Sequence, residues 1–430
     1  MWFSNSHPSG ALTRVLTVLL LTMISACGGG GGGTGGTETW VATQAPTLNN
    51  LPPAPAIQNI LDIVIDAGPP NTGYNVNRLF TTVTICEPGS VTQCQTIDHI
   101  LVDTGSTGLR LLSSALAPGL KLNRITSNNG LPLLGCMQFI DQSFAWGPIA
   151  RADITLGGKT AANTPIQVIA DPTFAHLAAS CASGTPLQAA KDLGANGILG
   201  LSMQREDCGL ACTFSPRNGV YYTCLDSLCA NPVGSRATLA QQVSHPVPKF
   251  STDNNGLIID LPRVSTPTAT TLKGTLVFGL GTQPNNTKAP TTPVLTSASG
   301  STGFTTSFSG HAFPTTYLDT GSNGYFFDSA GRLPNCGAGV EGFYCPLAFT
   351  PLTATLMGAN GQTLFVDFGV ANASALFQSA LPVLPHLAGD MPDLMAFDWG
   401  LPFFFGRRVY FGIQDPNGDG AYVAFETTKN

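Results

Sequence analysis

The tetrapeptide Asp-Thr-Gly-Ser occurs twice in this chain, 216 residues apart, and each copy follows an apolar lead. The first copy, Asp103-Thr104-Gly105-Ser106, follows Leu101 and Val102. It precedes the apolar run Leu109 to Leu112, broken by Arg110. The second, Asp319-Thr320-Gly321-Ser322, follows Tyr317 and Leu318 and precedes Tyr325 to Phe327. An apolar lead reads as a buried strand, and a glycine straight after the acid marks a tight turn. A carboxylate at the end of a buried strand is costly unless it is hydrogen-bonded or used. The neighbours offer a Ser hydroxyl, a Gly N–H and a Thr hydroxyl for that purpose. Repeating the unit at this distance divides the chain into two halves of similar plan.

One such turn on an apolar strand in each half resembles the pepsin-type aspartic peptidases. The resemblance implies an all-β, mostly antiparallel, bilobal pepsin-like fold. Two pseudo-symmetric, barrel-like lobes with a few short helices would each bring one acid, Asp103 or Asp319, to a shared cleft. Two carboxylates in contact cannot both ionise easily, so one pKa falls and the other rises, and a base and an acid coexist. Such a pair activates a water and protonates the leaving amine. Thr104, Gly105, Ser106, Thr320, Gly321 and Ser322 would support the pair. The substrate implied is an extended peptide or protein, paired through its backbone as an added strand. No metal or organic cofactor is implied. Both acids lie in one chain, so a monomer suffices.

Three further stretches carry the resemblance. Ala195 to Ser202, ANGILGLS, is similar to the apolar-apolar-Gly element that threads beside the first acid turn, where Gly200 lets the backbone pass close. Phe404-Phe405-Gly406 is expected to be its counterpart in the second half. Phe144 to Gly158, FAWGPIARADITLGG, resembles the region of the flap, the hairpin that closes over substrate, with Trp146 as the candidate flap residue. Arg110 stands where that family usually has a Trp that contacts the flap. Elsewhere, Thr238 to Val243 reads as a short helix. Leu257 to Leu261 and Gly274 to Gly279 read as strands of a sheet beneath both lobes.

Only 10% of the 430 residues are charged, the net charge is −6 and there are no basic clusters, which argues against nucleic acid as a partner. Residues 1–27 read as an export signal: Arg14, an apolar stretch from Val15 to Ile24, then Ser25-Ala26-Cys27. Ile24-Ser25-Ala26-Cys27 resembles the bacterial lipobox, which implies lipidation of Cys27. Gly28 follows in place of the Asp that retains lipoproteins in the inner membrane. The implied location is the cell envelope, lipid-anchored in the outer membrane of a Gram-negative bacterium. Residues 28–56, rich in Gly and then Pro, read as a tether. The N-terminal lobe is expected over 57–283, with a disulfide-rich insertion at 204–235, and the C-terminal lobe over 284–430. The whole chain also resembles a family of uncharacterised bacterial lipoproteins.

Removing Cys27 from the 11 cysteines leaves ten, an even number for an oxidising compartment. Cys86 and Cys94 flank one short loop, and Cys336 and Cys345 another. Cys208, Cys212, Cys224 and Cys229 fall symmetrically about Arg217-Asn218-Gly219. A hairpin there would pair Cys208 with Cys229 and Cys212 with Cys224, and Cys136 and Cys181 are left for each other. The rival for the four-cysteine cluster is a zinc site. Asp415 to Glu426 fits the calcium-loop pattern D-x-N-x-D-G-x5-E. Ala421 to Phe425 alternates like a strand, so the stretch reads as a hairpin turn and no metal is assigned.

Two functions compete. One is an aspartic endopeptidase-like lipoprotein. The other is a non-catalytic, peptide- or envelope-binding lipoprotein that keeps the fold.

Overall fold

The computed structural model describes residues 59–226, 229–391 and 395–427. The export segment, Cys27 and the tether lie outside the described residues. The protein is mostly β, built on two sheets with 17 and seven strands among the described residues.

The two sheets share one local plan around the acids. In the larger sheet the first acid strand, Cys94–Asp103, runs antiparallel to Leu79–Cys86 and parallel to Gly197–Leu201. Gly197–Leu201 also pairs antiparallel with Thr107–Leu112, the strand that leaves the acid turn. In the smaller sheet the second acid strand, His311–Leu318, runs antiparallel to Phe304–Phe308 and parallel to Ala396–Trp399. Ala396–Trp399 in turn pairs antiparallel with Tyr325–Phe326. Each acid therefore ends a central strand flanked on both sides, which is why its apolar lead is buried.

The chain crosses back after the second half. Arg407–Gly412 pairs with Gly256–Leu261 and with Tyr422–Thr427, all inside the larger sheet. Gly256–Leu261 continues to Leu272–Phe278 and then to Ile60–Ile65. One continuous apolar core runs through both halves, from Ile63 and Val102 to Leu318, Trp399 and Val423. Rings fill its second-half portion: Phe327 stacks on Phe397 at 4.7 Å between centroids, and Phe397 on Trp399 at 4.4 Å.

Five disulfides tie down loops. Cys86–Cys94 and Cys336–Cys345 form as their short spacing predicts, and Cys136 pairs with Cys181, the two left for each other. The nested pairing of the four-cysteine cluster does not form, nor does a zinc site. Cys208 bonds Cys212, and Cys224 bonds Cys229, with Cα atoms 5.7 and 4.6 Å apart. The expected hairpin about Asn218 is absent because its two arms have other partners. Leu210–Phe214 is a short helix, and Tyr221–Thr223 pairs with Leu133–Gln138 and with Val233–Gly234. Thr238 to Val243 makes one turn only, closed by the Gln242 N–H on the Thr238 carbonyl. Val243 is drawn out of any helix because its N–H donates to the Tyr221 hydroxyl at 2.7 Å.

Candidate active site

The two acid turns meet back to back. The Gly105 N–H and the Ser106 hydroxyl donate to the two oxygens of Asp103 at 2.8 and 2.5 Å. The Gly321 N–H and the Ser322 hydroxyl do the same for Asp319 at 2.8 and 3.0 Å. The threonines, expected at their own acids, reach across instead. The Thr104 hydroxyl donates to the Leu318 carbonyl and accepts the Thr320 N–H, at 2.7 and 2.9 Å. The Thr320 hydroxyl donates to the Val102 carbonyl and accepts the Thr104 N–H, at 2.8 and 3.1 Å. This reciprocal set locks one acid strand to the other. All six groups are buried, so each is expensive to leave unpaired.

The glycines permit the contact. A Cβ on Gly105 would sit 2.7 Å from the Asp319 carboxyl carbon, and one on Gly321 would sit 2.7 Å from an oxygen of Asp103. With no side chain at either position the carboxyls face and hydrogen-bond each other. Both are fully buried. Burial first, and then the charge on Asp319, push Asp103 up to about 6. Burial also opposes charge on Asp319, while hydrogen bonds from the Asp103 carboxyl and the Gly321 N–H favour its charged form. Two buried carboxyls in contact cannot both ionise easily, so the pair favours one shared proton.

The element beside each acid turn is equivalent in the two halves, but the second is not the one expected. Gly200 stands beside Asp103 in register, and a Cβ there would lie 2.6 Å from the Thr107 backbone. In the second half the Asp319 N–H donates to the Trp399 carbonyl at 3.0 Å. A Cβ on Gly400 would lie 2.0 Å from the Gly324 carbonyl oxygen. The counterpart of Ile198-Leu199-Gly200 is therefore Asp398-Trp399-Gly400. Phe404, Phe405 and Gly406 follow as the end of a 3-10 turn, Leu401–Phe404, and the entry to Arg407–Gly412.

This second element carries a third acid. Asp398 pairs in register with Tyr317 on one side and Phe326 on the other. It is fully buried, and neither of its oxygens makes a hydrogen bond of good geometry; the Ser322 hydroxyl, which donates to Asp319, lies toward it. Burial, then the charges of Asp319 and Asp103, raise it well above the usual carboxylate range. The neighbouring Tyr317 is raised by burial, then by the charges of Asp398 and Asp319.

Trp146 does not sit on a hairpin tip. It lies within Ser143–Leu156, paired with Cys136, and its indole N–H donates to the Phe174 carbonyl at 2.9 Å. It packs edge-on against Tyr222. The hairpin in this stretch joins Leu133–Gln138 to Ser143–Leu156, and its turn is residues 139–142. Phe139 packs against a first-half cluster holding Leu101 and Ile198. Ile140 packs against a cluster holding Val76 and the second-half residues Phe326 and Leu387. The tip thus bears on both halves at once. Asp141 caps the turn through the Ser143 N–H and hydroxyl.

Arg110 is buried behind the first acid turn. Its guanidinium donates to the Thr107 carbonyl at 2.6 Å, to Gln167 at 3.1 Å and to Asp207 at 2.9 Å. The Gln167 amide then donates to the Gly135 carbonyl at 2.8 Å, at the base of the hairpin. Asp207 also accepts from the Tyr221 hydroxyl at 2.6 Å. Arg110 therefore ties the acid turn to the hairpin and to the disulfide-rich insertion.

The calcium-like stretch spends its acids internally. Asp415 accepts the Asn417 and Asp419 N–H groups of its own turn, while Glu426, in Tyr422–Thr427, accepts from Ala289, Thr292 and Tyr410. Among the described residues no group of three metal-ligating side chains comes together.

Fold and site together define a two-lobed β protein that presents a buried, hydrogen-bonded aspartate pair between equivalent strand arrangements. The chain belongs to the family described as "Protein of unknown function (DUF3443)", which matches residues 55–425. No curated protein matches it.

Proposed function

We propose that the protein is a pepsin-like aspartic endopeptidase anchored as a lipoprotein in the bacterial envelope. The observation that carries this reading is the Asp103–Asp319 pair: two carboxyls hydrogen-bonded to each other, each held by its own Gly N–H and Ser hydroxyl. In this reading Asp319, the ionised partner, takes a proton from a water that attacks the scissile carbonyl carbon. Asp103 gives its proton to the carbonyl oxygen. The tetrahedral intermediate then collapses: Asp319 gives its proton to the leaving nitrogen while Asp103 takes back a hydroxyl proton as the new carboxyl forms, so the pair returns to one shared proton. The hairpin turn 139–142 would close over an extended substrate. The lipid anchor rests on Ile24-Ser25-Ala26-Cys27 alone, and Cys27→Ala should leave the protein unprocessed or free of membranes.

The competing reading, a peptide-binding lipoprotein without activity, draws on Asp398, since acid–base exchange needs only two carboxyls. The deciding experiment incubates detergent-solubilised full chain with a mixed peptide pool from acid to neutral pH. Asp103→Asn and Asp319→Asn should each lower cleavage by several orders of magnitude, and the double variant should be little worse. Wild-type cleavage in either single variant would exclude the mechanism.

A further inference from the structure

The two walls beside the aspartate pair are equivalent in backbone and opposite in chemistry. Two residues before Asp103, Leu101 pairs with Ile198, and both belong to an apolar cluster. Two residues before Asp319, Tyr317 pairs with Asp398. A substrate whose scissile bond lies between the carboxyls must rest one flanking side chain on each wall. The first wall offers only hydrocarbon. The second offers a phenol and a carboxyl.

Asp398 is anomalous within its surroundings. It is fully buried, neither oxygen makes a hydrogen bond of good geometry, and none of the ion pairs among the described residues includes it. Among the described residues, the titratable groups that face it are Asp319, Asp103 and Tyr317, and the Ser322 hydroxyl also lies toward it; no described cation does. From its antiparallel neighbour it meets Phe326. A buried carboxyl without a partner is a liability to the resting fold unless something arrives to pair with it.

We propose that Asp398 receives a positively charged side chain of the substrate, lysine or arginine, on the second-half side of the scissile bond, opposite an apolar side chain held by Leu101 and Ile198. The proposal rests on the peptidase reading for where the scissile bond lies. Ile140, at the hairpin tip, packs on the cluster that includes Phe326, the register neighbour of Asp398. Lifting that tip to admit a peptide loosens the cover over Asp398. The cation enters, and the neutral carboxyl releases its proton to solvent, so one ion pair forms and one proton leaves. Glutamate or aspartate at the same place would add another negative charge and be rejected.

The test uses detergent-solubilised full chain and one pool of random twelve-residue peptides, read in two ways. In the cleavage arm, products of the wild type should show lysine and arginine enriched at least about tenfold at one residue flanking the cut. Asp398→Asn and Asp398→Leu should abolish the enrichment. In the binding arm, immobilised Asp103→Asn protein should retain lysine- and arginine-containing peptides over their norleucine equivalents by a similar factor, and Asp103→Asn/Asp398→Leu should not. Cleavage without a cationic preference, or a preference that survives both Asp398 variants, overturns the proposal. A wild type that cleaves nothing defeats the peptidase reading, and the binding arm then decides alone, with equal retention overturning the proposal. Both Asp398 variants should melt no lower than wild type at neutral pH; unfolding of both would also overturn it, by giving the carboxyl a structural role.

Discussion

Asp103→Asn should cost activity and yet stabilise the protein at neutral pH. Asp103 sits at about 6 in the folded protein, against about 3.9 for an unfolded aspartate. Below the unfolded value both states are protonated and Asp103 contributes its full share of stability. Between about pH 4 and 6 the unfolded chain releases a proton that the native state keeps, so stability falls as pH rises. Above the folded value the whole difference is lost, about two pKa steps or ~3 kcal/mol. Asparagine has the same shape and does not titrate. Its carbonyl can accept the Gly105 N–H, and its amide can donate to Asp319. The Ser106 hydroxyl loses an ionisable acceptor, a cost of about 1 kcal/mol. The variant should therefore be about 2 kcal/mol more stable than wild type near pH 7.5 and about 1 kcal/mol less stable near pH 3. Asp207, pushed up to about 6 by burial against the pull of Arg110, titrates in both proteins and cancels in the difference. Urea denaturation of both proteins at several pH values reads the quantity directly. A difference of one sign across the whole range, or a variant less stable at pH 7.5, would refute the account of the pair.

Arg110→Met and Asp207→Leu should each destabilise by about 3–5 kcal/mol, since each strands a buried charge, while the double variant recovers much of the loss; denaturation of all three gives the coupling, and additive losses would remove Arg110 from its tethering role. Gly400→Ala should lower stability by at least about 2 kcal/mol, because its Cβ meets the Gly324 carbonyl oxygen at 2.0 Å. Gly406→Ala should cost only about 1 kcal/mol, for its left-handed backbone at φ +73°. An equal cost at both sites would undo the assignment of Gly400 to the second acid turn. Cleavage after Arg217 without reduction separates the peptide bearing Cys208–Cys212 from the one bearing Cys224–Cys229; a single linked species in the mass spectrum would restore the nested pairing.

The acid turns are legible because four small residues in a fixed order leave little freedom: each has a backbone or carboxyl partner that no other residue type would satisfy. The all-β class is legible for a similar reason, in that apolar runs bounded by Gly and Pro leave few alternatives. What escapes the sequence depends on partners far along the chain. Gly147 looks like a turn residue after Trp146, but it is needed inside a strand, where a Cβ would meet the Val168 carbonyl oxygen at 1.9 Å. The true tip, residues 139–142, contains neither Gly nor Pro, and its turn is closed by the Gln142 N–H on the Phe139 carbonyl. The four-cysteine cluster is symmetric in sequence, yet strand pairing to Leu133–Gln138 pulls Tyr221–Thr223 away from any mirror partner. The second acid-flanking element hides because its first position is Asp398 where the first half has Ile198, so an apolar-apolar-Gly search passes over it to Phe404-Phe405-Gly406. The same substitution that conceals the element breaks the symmetry of the site. Backbone hydrogen bonds make the two acid turns equivalent, and they do so through groups every residue possesses. The side chains two places before each acid carry no part of that lattice, so they are free to differ. On the peptidase reading, Leu101 and Ile198 on one wall and Tyr317 and Asp398 on the other are where a preference between the two sides of a substrate would arise.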